Sequence, residues 1–118
     1  PLTTLKRFCY LVTQGRSNAK QDWQKLQSSV NDEELALKSS GLDMLEQFNT
    51  VDIIQHYPGN QFHVFAEGDG LVSYKIVDNF RKLGAKFLKI DSINGSHGFP
   101  VFQSDSLSDK ITQYLKRL

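Results

Sequence analysis

The stretch QFHVFAEGDGLVSYKIVDNFRKLGAKFLKID, residues 61–91, decides the fold expected for this chain. Gln61–Ala66 is rich in aromatic and β-branched residues, which is typical of a strand. A glycine-rich turn follows, and Leu71–Leu83 then keeps the spacing of one helix face up to its end. Lys86–Ile90 predicts a second strand. The stretch therefore predicts a strand–helix–strand unit, whose crossover is right-handed if the strands are parallel.

The part of the chain before residue 50 has helical periodicity throughout. A first helix ends at Gly15 and carries Cys9 on its apolar stripe, where a buried thiol is the expected role. A second helix starts at Ala19 and presents Trp23 on its apolar face. A third helix is predicted to follow and to carry Leu35, Leu42, Leu45 and Phe48.

The rest of the chain predicts two further short strands and a final helix. Val51–Tyr57 is rich in β-branched residues and ends at Pro58-Gly59-Asn60, a strong turn signal, so it is expected to form a hairpin with the next strand. Val101–Gln103 is interpreted as a short edge strand. The last helix is predicted to turn one apolar face inward. This face consists of Leu107, Ile111, Leu115 and Leu118.

These elements predict an α+β fold in which N-terminal helices pack on a small mixed sheet and a C-terminal helix completes the structure. The sheet contains the strand–helix–strand unit, which gives the second half an α/β-like character. The 118 residues are expected to form a single domain, with a helical part at 1–49 and a sheet-containing part at 50–118. One core is expected to contain Trp23, Phe62, Val64, Phe80, Leu88 and Ile111.

Composition narrows the class of protein. A hydrophobic content of 39% and a charged content of 23% are ordinary for a globular chain and argue against disorder. The net charge of +1 disfavours a dedicated nucleic-acid binder, which usually has a strong basic excess. The single cysteine rules out an intrachain disulfide and fits a cytoplasmic, reducing location. No run approaches the roughly 20 apolar residues of a membrane helix.

The turn from Glu67 to Gly70 is the first candidate binding site. Glycines between a strand and a helix expose backbone N–H groups, which bind anions. The carboxylates of Glu67 and Asp69 repel a bare phosphate but suit Mg²⁺, which prefers oxygen ligands. Asp91, after the next strand, would add a third carboxylate at the same edge. The structural alternative is that the glycines shape the turn and Asp69 caps the helix.

Three histidines are the candidate catalytic residues, because imidazole exchanges protons near neutral pH. His56 and His63 flank the predicted hairpin turn and would face each other across its strands. His97 lies in the polar loop Ser92–Pro100 together with Asn94, and loops placed between strands often carry binding residues. The scattered histidines give no zinc-ligand spacing, so no metal and no cofactor is expected.

A set of basic residues in the second half offers a surface for nucleic acid or an acidic protein. Basic side chains near helix C-termini also complement the helix dipole, which is a sufficient structural reason for them. The set comprises Lys75, Arg81, Lys82, Lys86 and Lys89.

Two classes of function remain open, and the sequence does not decide whether the chain is an enzyme. The favoured class is a non-catalytic interaction module with a protein partner, as part of a larger protein or assembly. The alternative is a small hydrolase of nucleic acids or phosphate esters that uses histidine chemistry or metal-dependent carboxylates. No serine-nucleophile elbow, P-loop or paired-cysteine motif occurs. The expected ligand-binding residues are Glu67, Gly68, Asp69, Gly70, Asp91, Asn94 and His97.

Overall fold

The computed structural model describes residues 2–28, 43–44 and 46–118. The predicted third helix falls mostly outside them, including Leu35, Leu42 and Leu45. The described residues form helices and a small sheet, which confirms the α+β class with a C-terminal helix. In chain order the elements are α1 (Leu2–Thr13), α2 (Ala19–Ser28), α3 (Val51–His56), β1 (Gln61–Ala66), α4 (Ile76–Lys82), β2 (Leu88–Ile93), α5 (Phe99–Phe102) and α6 (Ser104–Lys116).

Strands β1 and β2 pair in parallel, with Gln61 opposite Leu88 and Ala66 opposite Ile93. This confirms the predicted strand–helix–strand unit. Side chains alternate between the two faces of a strand, so the even-numbered residues of β1 share one face. There the ring of Phe62 stacks on Tyr114 of α6, with ring centroids 4.5 Å apart. Helix α6 therefore covers this face of the sheet.

Helix α4 covers the opposite face, where Phe80 lies 4.9 Å from the His63 ring and 5.0 Å from the Phe65 ring, centroid to centroid. The helix is shorter than the predicted Leu71–Leu83, because it begins only at Ile76. Residues 71–75 form turns instead. A local side chain explains why α4 begins late, because the Asp69 carboxylate accepts hydrogen bonds from two backbone N–H groups at the beginning of that segment.

The strand predicted at Val51–Tyr57 is wrong, because this segment contains helix α3. Asn49 Oδ1 accepts the N–H of Val51 at 3.1 Å, and Asp52 places a carboxylate in the first turn, where it favours the helix dipole. These local interactions outweigh the β-branched composition. No hairpin forms with β1, and the sheet of the described residues is the parallel pair alone rather than a mixed sheet.

Two boundaries after β1 also differ from the prediction. Strand β2 continues to Ile93, so Asp91 and Ser92 belong to the strand and not to the loop after it. The edge strand predicted at Val101–Gln103 is wrong, because α5 occupies most of it. Pro100 stands in the first turn of α5, a position where its fixed φ and missing N–H favour a helix.

Helix α6 is rotated relative to its predicted orientation. Lys110 bonds to Asp91 at 3.1 Å and Tyr114 stacks on the sheet, so these two residues mark the inward face. Ile111 is 41% exposed and Leu115 is 59% exposed, which makes the prediction of Ile111 as a core residue wrong. The aromatic stack and the ion pair fix the rotation of the helix, although its apolar stripe points elsewhere.

The most deeply buried apolar side chains come from α1, from α4 and from the ends of both strands. The prediction of a buried thiol at Cys9 is confirmed. Trp23, Phe62, Val64, Phe80 and Leu88 are only half-buried. None of the helices in the described ranges combines the length and the apolar character needed to cross a bilayer. The buried apolar residues are Cys9, Val12, Ala66, Val77 and Ile93.

Glycine allows α1 to approach the loop after β1. Gly15 ends the helix region with a φ of +101°, and an added Cβ there would collide with the carbonyl group of Gly68. The backbones of α1 and of this loop therefore meet without intervening side chains.

We expect Gly15→Ala to destabilise the fold much more than Gly84→Ala. Gly84 also has a positive φ, 68°, but no atom lies within 4 Å of a Cβ added there. The Gly84 variant should lose roughly 1–2 kcal/mol from left-handed strain alone. The Gly15 variant should lose more, because backbone must also move apart. Urea melts followed by circular dichroism measure the unfolding free energy of both variants. Equal losses of stability would contradict the close approach of Gly15 to Gly68.

Candidate functional site

Two loops leave the carboxyl ends of β1 and β2 side by side. The N–H of Glu67 donates to the carbonyl of Ile93 at 2.9 Å, and the N–H of Gly68 donates to the carbonyl of Gly95 at 3.0 Å. The parallel ladder thus continues beyond the strands. It brings the first residues after β1 next to the first residues after β2.

This extension joins Asp69 and His97, which are 28 residues apart in the chain. His97 Nδ1 lies 2.8 Å from Asp69 Oδ2. The other carboxylate oxygen, Oδ1, accepts the N–H groups of Leu71 and Val72, each at 2.8 Å. The Asp69 side chain is only 9% exposed, so these bonds replace the water that a carboxylate otherwise requires.

The carboxylate of Asp69 also sets the tautomer of His97. An ionised carboxylate only accepts hydrogen bonds, so Nδ1 of the ring must carry the proton. No hydrogen bond in the described part of the chain engages Nε2. The side chain of His97 is 40% exposed, which leaves this nitrogen within reach of a ligand.

The C-terminal end of α1 packs against both loops. The N–H of Gly98, directly after His97, donates to the carbonyl of Val12 at 2.9 Å. On the other side, a Cβ added to Gly70 would lie 2.8 Å from the carbonyl oxygen of Leu11. The helix therefore holds the residues next to Asp69 and His97 in place.

Glu67 and Asp91 do not join Asp69. The Glu67 carboxylate accepts a hydrogen bond from the Ser92 hydroxyl at 3.0 Å, on the face of the sheet that carries α4. Asp91 lies on the other face and pairs with Lys110 of α6 at 3.1 Å. Burial raises the pKa of Asp91, but the Ser92 N–H, Lys110 and Lys89 outweigh burial and leave that pKa lowered.

The predicted carboxylate cluster for Mg²⁺ is therefore not assembled. Within residues 2–28, 43–44 and 46–118, no three His, Cys, Asp or Glu side chains are grouped so that they could hold a metal ion. Asn94 contributes only its backbone carbonyl, which accepts a hydrogen bond from Gln103 Nε2 at 3.0 Å.

The other two histidines lie apart from this pair and from each other. His56 is exposed, and its Nδ1 lies 3.0 Å from the carbonyl of Asp52 in the same helix. His63 Nε2 contacts Gln61 Oε1 at 3.1 Å, and its ring packs on Phe80. The prediction that His56 and His63 face each other across a hairpin is wrong, because His56 ends α3.

All the residues of the basic set are exposed on the surface. Arg81 pairs with Asp78 at 3.6 Å on the surface of α4, and both side chains are well exposed. Lys75, Lys82 and Lys86 are also exposed. A nucleic-acid surface at these residues stays a prediction.

The sequence patterns place Asp69 and His97 in two candidate loops and in one set of expected ligand-binding residues, but they do not predict that the two side chains pair. One signal was present: an acid in the loop after one strand and a histidine in the loop after the next. Parallel strands bring such residues to one edge. No family model matches the sequence, and no curated protein is significantly similar to it.

We expect Asp69→Asn to disturb the tautomer of His97. A side-chain amide offers an N–H group as well as an oxygen, so Nδ1 is no longer forced to carry the proton. Nitrogen-15 shifts of the imidazole ring, read from two-bond correlation spectra at neutral ring charge, report the tautomer. The exposed Asp109→Asn is the control. A His97 spectrum unchanged by Asp69→Asn would contradict the hydrogen bond.

Stability should fall in mild acid because of His63. Burial lowers the pKa of His63 below its usual 6.5 in the folded chain. The unfolded chain then binds more protons, so the free energy of unfolding drops as the pH falls below about 6.5. His63→Phe keeps a ring against Phe80 and removes this titration. Urea melts at several pH values measure the free energy of unfolding, which should fall less on acidification for the variant than for the parent chain. An equal fall in both would contradict a role for His63.

Proposed function

We propose that this chain carries the acid–base pair of a hydrolase that cleaves a carboxylic ester or thioester. His97 is the general base, and Asp69 orients it. The observation that carries the proposal is the 2.8 Å contact between His97 Nδ1 and a largely buried Asp69 carboxylate. A histidine held in this way presents a basic Nε2, which is what proton transfer from a nucleophile requires.

The chemistry divides between the two side chains. His97 Nε2 takes the proton from an attacking hydroxyl, thiol or water, and later returns it to the leaving group. The imidazolium formed between these steps is stabilised by the Asp69 carboxylate. Because Asp69 is fixed by two backbone N–H groups, it supplies its charge without moving.

The order of the two residues along the chain supports this reaction class. Asp69 follows β1 and His97 follows β2, both at the carboxyl ends of adjacent parallel strands. In α/β-hydrolases the acid likewise precedes the histidine, and the nucleophile precedes both. The likeness concerns only the order of these residues along the chain. The nucleophile is not assigned, since Cys9 and Thr13 are buried in α1.

An acyl substrate fits the local charges better than a phosphate ester does. A phosphoryl group needs cations around it, whereas the loop after β1 carries the carboxylates of Glu67 and Asp69. Two basic side chains of the described residues are paired with other acids, Lys110 with Asp91 and Arg16 with Asp22. The reacting carbon of an ester or thioester is uncharged and does not meet this repulsion.

An interaction module remains the second candidate, because apolar residues near the C-terminal end of α6 and directly after it are exposed. Leu115 is 59% exposed and Leu118 is 66% exposed. Contiguous exposed apolar residues are typical of protein contact surfaces. The two functions are compatible, since the stripe and the Asp69–His97 pair involve different residues.

Hydrolysis of p-nitrophenyl acetate tests the proposed function. We expect His97→Asn to lower kcat/KM by about 10²–10⁴-fold, the usual contribution of a general base. Asp69→Asn should lower it by up to about 10⁴-fold, because the wrong tautomer forms.

His63→Gln is the matched control, since that ring packs on the sheet and should leave the rate unchanged. Equal rates for the parent and His97→Asn would contradict the proposal, as would a parent rate no higher than that of buffer.

A further inference from the structure

A cavity of about 460 Å³ lies between α1 and α2. Its volume falls in the range of roughly 300–1,000 Å³ that is usual for small-molecule sites. Tyr10 of α1 and Gln14, the residue directly after α1, form one wall. The N-terminal half of α2 forms the other wall through Ala19, Lys20 and Trp23.

The cavity adjoins the Asp69–His97 pair through the last turn of α1. Gln14 lines the cavity, and its Cβ would lie 3.4 Å from a Cβ added to Gly70, the residue after Asp69. In the same turn, the carbonyl of Val12 accepts the N–H of Gly98, the residue after His97. The cavity wall at Gln14 therefore contacts the loop after β1, which carries Asp69.

The cavity walls favour an apolar ligand. Tyr10 and Trp23 contribute rings, and Ala19 contributes a methyl group. The indole Nε1 of Trp23 is inaccessible to solvent, so the cavity meets ring carbon atoms rather than the N–H group. Among the described residues that line it, none is acidic, and Lys20 is the one ionised side chain.

An ion pair holds the two walls of the cavity together. Arg16, in the connection between α1 and α2, lies 3.2 Å from the Asp22 carboxylate and donates to the carbonyl of Phe102 at 3.3 Å. Asp22 is only 8% exposed. The corner between the helices is thus fixed to the segment after β2, which keeps the cavity open beside the candidate site.

We infer that this cavity binds the apolar acyl chain of the substrate. The inference rests on the proposed function and adds the substrate class to it: esters or thioesters of medium-chain fatty acids. Such a chain lies against the two rings and Ala19, while its carbonyl group extends past Gln14 towards His97. Apolar contact supplies the affinity, as is usual for small-molecule pockets.

The chain contains a single tryptophan, Trp23, which makes binding directly visible. Decanoate that is brominated at its terminal carbon, kept below its micelle concentration, should quench Trp23 fluorescence in a saturable manner. Unbrominated decanoate should compete with it. Bromine quenches an indole only near contact, so the signal reports occupancy of this cavity.

Ala19→Phe fills the cavity and should weaken the quenching by about tenfold or more. Ala19→Leu is a smaller change that serves if the first variant does not fold, as judged by circular dichroism. Gln24→Phe places the same ring on the exposed side of α2 and should leave quenching unchanged. The absence of saturable quenching in the parent chain, or equal quenching in the Ala19 variants, would overturn the inference.

Two further measurements separate this inference from the proposed function. His97→Asn should keep the quenching while losing ester hydrolysis, because the cavity does not need the base. The parent chain should prefer p-nitrophenyl octanoate to the acetate, and Ala19→Phe should lose that preference. Acetate hydrolysis that depends on His97, without any chain-length preference, would overturn the acyl-chain site alone. Saturable quenching without ester hydrolysis would overturn the proposed function and the assignment of the cavity to an acyl chain.

Discussion

The parallel pairing of β1 with β2 is the constraint on which the rest of the structure depends. It continues into the loops through the N–H groups of Glu67 and Gly68, and this continuation fixes the distance between the two loops. A parallel pair also requires a crossover, which α4 provides on one face. Helix α6 covers the other face, and its rotation is set by a ring stack and an ion pair on the sheet.

Backbone contact links the N-terminal helices to this unit. Where α1 meets the loops, glycines lie on both the helix side and the loop side of the contact. Backbone carbonyl and N–H groups therefore meet there in place of side chains. Such contacts tolerate little displacement, since an added Cβ at Gly15 or Gly68 has no space. The same helix end thus supports the loops of the Asp69–His97 pair and one wall of the apolar cavity.

Much of the fold could be predicted where local pattern and tertiary packing agree. The strand at Gln61–Ala66 and the stop at Gly84 follow from composition and from glycine geometry, and both are observed. The predictions failed where a short segment had mixed signals. Val51–Tyr57 has the composition of a strand, but no strand of the described residues pairs with it, and the N–H of Val51 donates to Asn49 Oδ1 in a turn that leads into the helix. A strand is stable only with a partner, whereas one capped helical turn satisfies its own backbone.

For the candidate site, too, part could be predicted from the sequence and part could not. The sequence by itself determined the class of fold, the strand–helix–strand unit, the buried thiol of Cys9 and the placement of Asp69 and His97 in loops after strands. Only the tertiary structure decided that these two side chains meet, that Glu67 and Asp91 lie on opposite faces, and that the stripe of α6 stays exposed. The physical reason is that periodicity records the environment of each element separately. Which side chains meet depends on the register and rotation of elements against each other, and distant contacts set both.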